Sequence, residues 1–134
     1  MLEKLPLQTH KRREFLDITE SLSRLVRSSG TTSGLMTVFS PHTTAALTVN
    51  ENWDPDVIHD FLLHFSSLVP RSHPQFRHGE GNSDGHILAS LVGPSLTLII
   101  HDGTLFLGQW QGVYFCEFDG PRERMVAVRI LPDP

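Results

Sequence analysis

Residues 95–131 read SLTLIIHDGTLFLGQWQGVYFCEFDGPRERMVAVRIL, and they decide the fold. Three stretches rich in β-branched and aromatic residues, SLTLIIHDGTLFLGQW, QGVYFCEF and RMVAVRIL, are separated by turn chemistry. Asp102 and Gly103 lie inside the first stretch and suit the positive-φ positions of a tight hairpin. DGPR, residues 119–122, joins the second stretch to the third through residues that favour turns. The carboxy-terminal third therefore predicts a β-meander of antiparallel neighbours.

Upstream of it, Asn82 or Ser83 can cap a helix in which Ile87, Leu88 and Leu91 face inward, stopped by Gly93 and Pro94. Asp54 followed by Pro55 starts another helix, because a carboxylate caps free N–H groups and proline loses no bond in the first turn. Val57, Phe61, Leu62, Phe65 and Leu68 mark its apolar face as far as Pro70. From Glu20, the helical spacing of Leu22, Leu25 and Val26 runs to Ser28, Ser29 and Gly30. LEKLPLQT, EFLDIT, GLMTVFS and ALTVN read as strands, with KRRE at 11–14 a solvated turn between the first two. Together these elements predict a single α+β domain over residues 1–134, with a largely antiparallel, sandwich-like sheet and about three helices.

Composition excludes several classes. At 134 residues and 39% hydrophobic, the chain has the size of one domain with its own core. No apolar run is long enough to cross a bilayer and no h-region follows the basic start, which predicts a cytoplasmic protein without a membrane partner. The formal net charge is -4 with no block of like charges, so no electrostatic footprint for nucleic acid is present. The single cysteine, Cys116, rules out an internal disulfide framework and reads as a small buried hydrophobe.

The chemistry-bearing segment is FRHGEGNSDGHI, residues 76–87, too polar and glycine-rich to build a core. It brings His78, Glu80, Asn82, Asp84 and His86; another region brings His42, Thr43 and Thr44, followed by Glu51 and Asp54. Three neutral imidazoles from separate elements suit a divalent transition metal such as zinc. The eight-residue spacing of His78 and His86 matches no short metal signature, and surface or hydrogen-bonded histidines satisfy it equally. The helix start at Ser83 offers unpaired N–H groups to an anion, or is an ordinary capped helix. No phosphate-binding GK[ST] loop and no GxSxG elbow is present. His10, His59, His64 and His73 read as solvated, His101 as an ordinary polar residue before the hairpin turn, and Trp110 as a core or subunit-contact aromatic.

Three tracts, SPHTTAALTVNEN with DPDV behind it, RHGEGNSDGHILASLVGPS, and SLTLIIHDGTLFLGQWQGVYFCEFDGPR, together resemble the YjbQ-like family, also called the secondary thiamine-phosphate synthase enzyme family. The resemblance covers nearly the whole chain after residue 34. It implies a YjbQ-like fold, a homotrimer with a pocket near subunit contacts, and a weak thiamine-phosphate synthase activity that joins a pyrimidine pyrophosphate to a thiazole phosphate. It also implies His42, His78 and His86 as metal ligands, with Glu51, Asn82 and Asp84 as polar catalytic partners. Thr43, Thr44 and Ser83 stand beside them as binding positions. Gly85 replaces the alanine common in the family motif, at about 1 kcal/mol of helix propensity.

The resulting expectation is a small metal-dependent enzyme acting on a small phosphorylated metabolite. The imidazole set suits zinc, with Mg²⁺ the alternative for a pyrophosphate substrate, a mismatch that makes the synthase activity a candidate side reaction. The rival expectation is a non-enzymatic trimer that binds metal and phosphate ligand without turnover.

Overall fold

The computed structural model describes residues 2–134. Its largest sheet has five strands in the spatial order β1 (Leu2–Gln8), β8 (Glu123–Pro132), β3 (Gly34–Phe39), β5 (Ser95–His101) and β6 (Thr104–Leu105). A second sheet has three, β2 (Glu14–Asp17), β7 (Gln111–Glu117) and β4 (Ala45–Glu51). Every pairing is antiparallel. The helices are α1 (Thr19–Ser29), α2 (Pro55–Leu68) and α3 (Ser83–Val92), and no helix is long and apolar enough to cross a membrane among the described residues.

The small sheet is the middle layer. On one side Leu47, Val113 and Phe115 meet Met36, Val38, Ile100, Val126 and Val128 of the large sheet, with Leu22 and Val26 of α1 closing the core. On the other, Ala46, Tyr114, Cys116 and Phe118 pack against Leu88 and Ala89 of α3. Burial on both faces is why VYFCEF is apolar without alternation, whereas β3 alternates buried and exposed residues along its length. Cys116 is one of these buried side chains, and burial pushes its thiol far above the usual range, so it behaves as an inert hydrophobe.

The hairpin forms at Asp102 (φ 49°) and Gly103 (φ 74°), where positive φ at both positions matches the strand twist. The meander predicted beyond it does not form. β7 leaves for the small sheet and β8 returns between β1 and β3, because only the middle layer hides both faces of β7. β1 and β2 likewise belong to different sheets. The KRRE segment between them is not a solvated turn: Arg12 and Arg13 fold inward onto Asp84.

Asp54 accepts from the Asp56 amide at 2.9 Å and Pro55 opens α2, as the sequence predicts. None of the α2 side chains is fully buried; the helix lies on the surface, held by Phe61 and Phe65 against Phe15. In α3 the inward face is Asp84, Gly85, Leu88 and Ala89, while Leu91 is 62% exposed and Ile87 38%. The small residues set that face. A Cβ at Gly85 would stand 3.0 Å from the Phe118 carbonyl oxygen, so glycine here lets the helix sit close to the middle sheet. Trp110 is half exposed, edge-on to Trp53 at 5.9 Å, and is not a core residue of this chain.

Candidate functional site

Antiparallel pairing brings one end of β4, the loop before α3 and the start of β8 together around a cavity of about 330 Å³. His42, Thr43 and Thr44 enter from the β3–β4 connection, His78, Glu80 and Asn82 from the loop, His86 from the first turn of α3, and Arg122 and Arg124 from the β7–β8 side.

His42 is fixed by the backbone. Its Nε2 lies 2.9 Å from the Met125 carbonyl oxygen and 3.1 Å from the Met125 amide nitrogen, so either tautomer has a partner there. Burial holds this imidazole below its ordinary pKa; the Arg124 charge acts the same way, against the Met125 hydrogen bond and Glu117. His78 and His86 face each other edge to plane, ring centroids 5.2 Å apart.

The cations at the cavity are held by buried carboxylates. Arg124 donates from Nε to Glu117 Oε1 at 2.8 Å, from Nη2 to the other Glu117 oxygen, and from Nη2 to the Thr44 hydroxyl at 2.9 Å. Glu117, fully buried, also accepts from the Thr9 hydroxyl at 2.8 Å and the Asp119 amide at 3.1 Å. Arg122 donates from Nε to the Asp119 carbonyl at 2.8 Å and from Nη2 to the Asp119 carboxylate at 2.7 Å. Each guanidinium is thus paired along its Nε–Nη2 edge, and its Nη1 group has no protein partner among the described residues. The free Nη1 hydrogens are what an anion can accept.

Of the residues marked out in the sequence, His42, His78, His86, Asn82, Thr43 and Thr44 do line this cavity. Ser83 lines an adjoining, more apolar hollow with Phe76, His78, His86 and Ile87. Asn82 does not cap α3 with its side chain; Nδ2 donates to Asp119 at 2.7 Å, and Oδ1 is buried without a partner.

Two others lie elsewhere. Glu51 sits at the opposite end of β4, six residues beyond Ala45 and so roughly 20 Å away along an extended strand. Its carboxylate accepts from the Asp54 amide at 3.3 Å. Asp84 is fully buried, one oxygen 3.0 Å from Arg12 Nη2 and the other 2.6 Å from Arg13 Nη2. Both its oxygens are committed to structure. Glu80 is left as the one carboxylate among the lining residues.

Among the described residues no group of three or more histidine, cysteine, aspartate or glutamate side chains is arranged to hold a metal ion. The donor chemistry fits zinc in part: His78 and His86 form a neighbouring imidazole pair, while His42 lines the same cavity with Nε2 engaged by Met125.

Sequence reasoning missed Arg122, Arg124, Asp119 and the two inward arginines. A signal existed. Glu117 interrupts the apolar run VYFCEF, and a charge that cannot reach water must find a partner such as Arg124.

A family model described as UPF0047 protein YjbQ-like matches residues 3–133. The chain belongs to the YjbQ/UPF0047 family. It is 46% identical over 131 residues to the UPF0047 protein YugU of Bacillus subtilis (strain 168), covering 98% of this chain and 99% of that one. To the UPF0047 protein YjbQ of Escherichia coli O157:H7 it is 35% identical over 127 residues, 92% of each. Its fold is similar to a crystal structure of a YjbQ/UPF0047-family protein from Clostridium acetobutylicum, with TM-score 0.93, 47% identity, and 96% of this chain and 99% of the other covered. A YbjQ-like protein from Sulfolobus solfataricus P2 gives the same TM-score of 0.93 at 29% identity, covering 99% of this chain and 97% of its own. The same fold is therefore kept between two sequences that are only 29% identical.

In this YjbQ-family chain the state of His42 gives a measurable pH dependence. An NMR titration of the histidines should place His42 below the ordinary imidazole value of about 6.5 and His59, bonded to Asp60, above it. The unfolded chain takes up the His42 proton first, so this group lowers stability as pH falls from about 6.5 toward its folded pKa and has no effect above that window. A His42 that titrates alongside His59 would contradict the burial seen here.

Proposed function

We propose that the cavity takes a small phosphorylated ligand together with a divalent transition metal, zinc being the ion its donors suit. The protein would then be a small metal-dependent enzyme that supports thiamine-phosphate synthase chemistry as a secondary activity. One observation carries the reading: His42, His78 and His86 share a single cavity with Arg122 and Arg124, each arginine internally paired along one edge and with Nη1 left over.

Arg122 and Arg124 bind phosphate oxygens through Nη1, a charge-assisted contact. His78 and His86, with His42, would hold the metal, which supplies Lewis-acid charge when bound. In the transfer considered, the carbon–oxygen bond to pyrophosphate breaks and a carbon–nitrogen bond from the thiazole nitrogen forms at the same carbon. The arginines favour the departing pyrophosphate by opposing its growing charge. Glu80, rather than Glu51 or Asp84, is the carboxylate placed to orient a ligand. A cytoplasmic homotrimer belongs to the same proposal; the outer face of the large sheet, where Leu35, Phe39, Ile99 and Leu131 are exposed, is the surface offered for subunit contact.

The placement of Glu51 and Asp84 favours one rival, a trimer that binds metal and phosphate without turnover, because the cavity then has little acid–base machinery. Three measurements separate the readings. These are metal per chain by elemental analysis on untagged protein, calorimetric binding of inorganic pyrophosphate, and pyrophosphate release from the two thiamine precursors. About one metal per chain, lost in folded His42→Ala, His78→Ala and His86→Ala variants, with pyrophosphate release, is expected for the enzyme. Binding of both ligands without release would identify the binder, and binding of neither would end both readings.

A further inference from the structure

We infer that Asp119 is the positioning residue of this cavity, setting its affinity for anions by holding Arg122 and Asn82 in place without touching the ligand itself. The inference rests on the reading that a phosphorylated ligand binds there.

Asp119 opens the DGPR turn between β7 and β8 and is 7% exposed. It is not among the residues lining the cavity, yet it contacts two that are, Asn82 and Arg122, and Arg12 behind them. Oδ2 accepts from Asn82 Nδ2 and from Arg122 Nη2, both at 2.7 Å. Oδ1 accepts from Arg12 Nη1 at 3.1 Å, and Arg12 reaches on to Asp84 in the first turn of α3. The Asp119 carbonyl takes Arg122 Nε at 2.8 Å, and its amide donates to Glu117, the partner of Arg124.

The physical consequence is preorganisation. The Arg122 side chain is 49% exposed and follows Pro121, three residues from Asp119, where an unrestrained arginine would spread over many rotamers. Two bonds to one residue fix its Nε–Nη2 edge, so binding an anion at Nη1 no longer costs that freedom. The same carboxylate holds the Asn82 amide with Nδ2 turned to the protein. Although burial works against it, the hydrogen bonds from Asn82 and Arg122 and the charges of Arg122 and Arg12 keep the Asp119 carboxyl below its ordinary pKa, so the clamp stays ionised at neutral pH.

A double-mutant cycle on the affinity for inorganic pyrophosphate tests this, using the full chain with Asp119→Asn, Arg122→Gln and the pair. Asp119→Asn should weaken binding roughly tenfold, and the loss in the pair should fall well short of the sum of the two single losses, because most of the first change acts through the second residue. Fully additive losses would overturn the inference, since a generally loosened fold weakens binding whether or not Arg122 is present. The NMR signals of the Arg122 Nη2 hydrogens, whose acceptor is the carboxylate and not the main chain, give an independent readout without ligand: held in the wild type, freely exchanging in Asp119→Asn.

If wild-type protein binds no pyrophosphate, the phosphorylated-ligand reading falls. The hold of Asp119 on Arg122 is then decided by those signals alone, and equal exchange in both proteins overturns it. Should Asp119→Asn fail to fold, Arg122→Lys serves instead; it keeps the charge but cannot use the two-point hold, and retention of full affinity would overturn the inference.

Discussion

Asp84→Ala is expected to lower the free energy of unfolding by about 3–5 kcal/mol, the range for removing one partner of a buried ion pair. Asp84 is fully buried at the start of α3 and accepts from both Arg12 and Arg13, whose side chains are 26% and 14% exposed. Removing the carboxylate takes from two partly buried guanidinium groups their shared acceptor, leaving Asp119 to Arg12 and the Val69 carbonyl, at 3.4 Å, to Arg13. Asp84→Asn keeps the shape and one acceptor and should cost less, though still more than a surface change. Urea denaturation gives the value directly, with an unchanged m-value showing that the folded and unfolded ensembles are otherwise alike. A carboxylate that serves catalysis alone behaves differently, losing turnover while stability is kept. That outcome would restore Asp84 as a proton carrier and remove it from the scaffold.

Arg124→Ala should cost a similar 3–5 kcal/mol and also abolish pyrophosphate binding. The arginine is 8% exposed and Glu117 is not exposed at all, so truncation strands a carboxylate whose remaining donors are the Thr9 hydroxyl and the Asp119 amide. The double change Glu117→Leu with Arg124→Met removes both charges and should recover much of the stability, since a buried pair contributes little over apolar packing of similar volume. Pyrophosphate binding should not return with it. Stability and ligand affinity that move together in all three proteins would show that the pair serves packing alone, and would leave the anion to Arg122.

The structure also explains why residues grouped by sequence do not all share a site. His78 and His86 are near in the chain and meet in space, their loop and helix being contiguous. Thr44 and Glu51 are closer still in sequence, but an extended strand lies between them, and extension carries one to the cavity and the other to the start of α2.

The sequence by itself determined the elements and their ends. Asp54 and Pro55 start α2, Gly30 stops α1 in a left-handed conformation at φ 68°, and Asp102-Gly103 turns the hairpin. These are choices of backbone dihedral and capping made within a few residues, which is why periodicity and turn chemistry reveal them. Only the tertiary structure decided which sheet received β7, because an apolar run without alternation fits any fully covered strand position. Only it, too, joined Arg12 and Arg13 to Asp84, 72 and 71 residues away, and Arg12 to Asp119 across 107. A charge entering the interior is matched by whichever opposite charge the packing brings near, and that choice belongs to the layers as a whole.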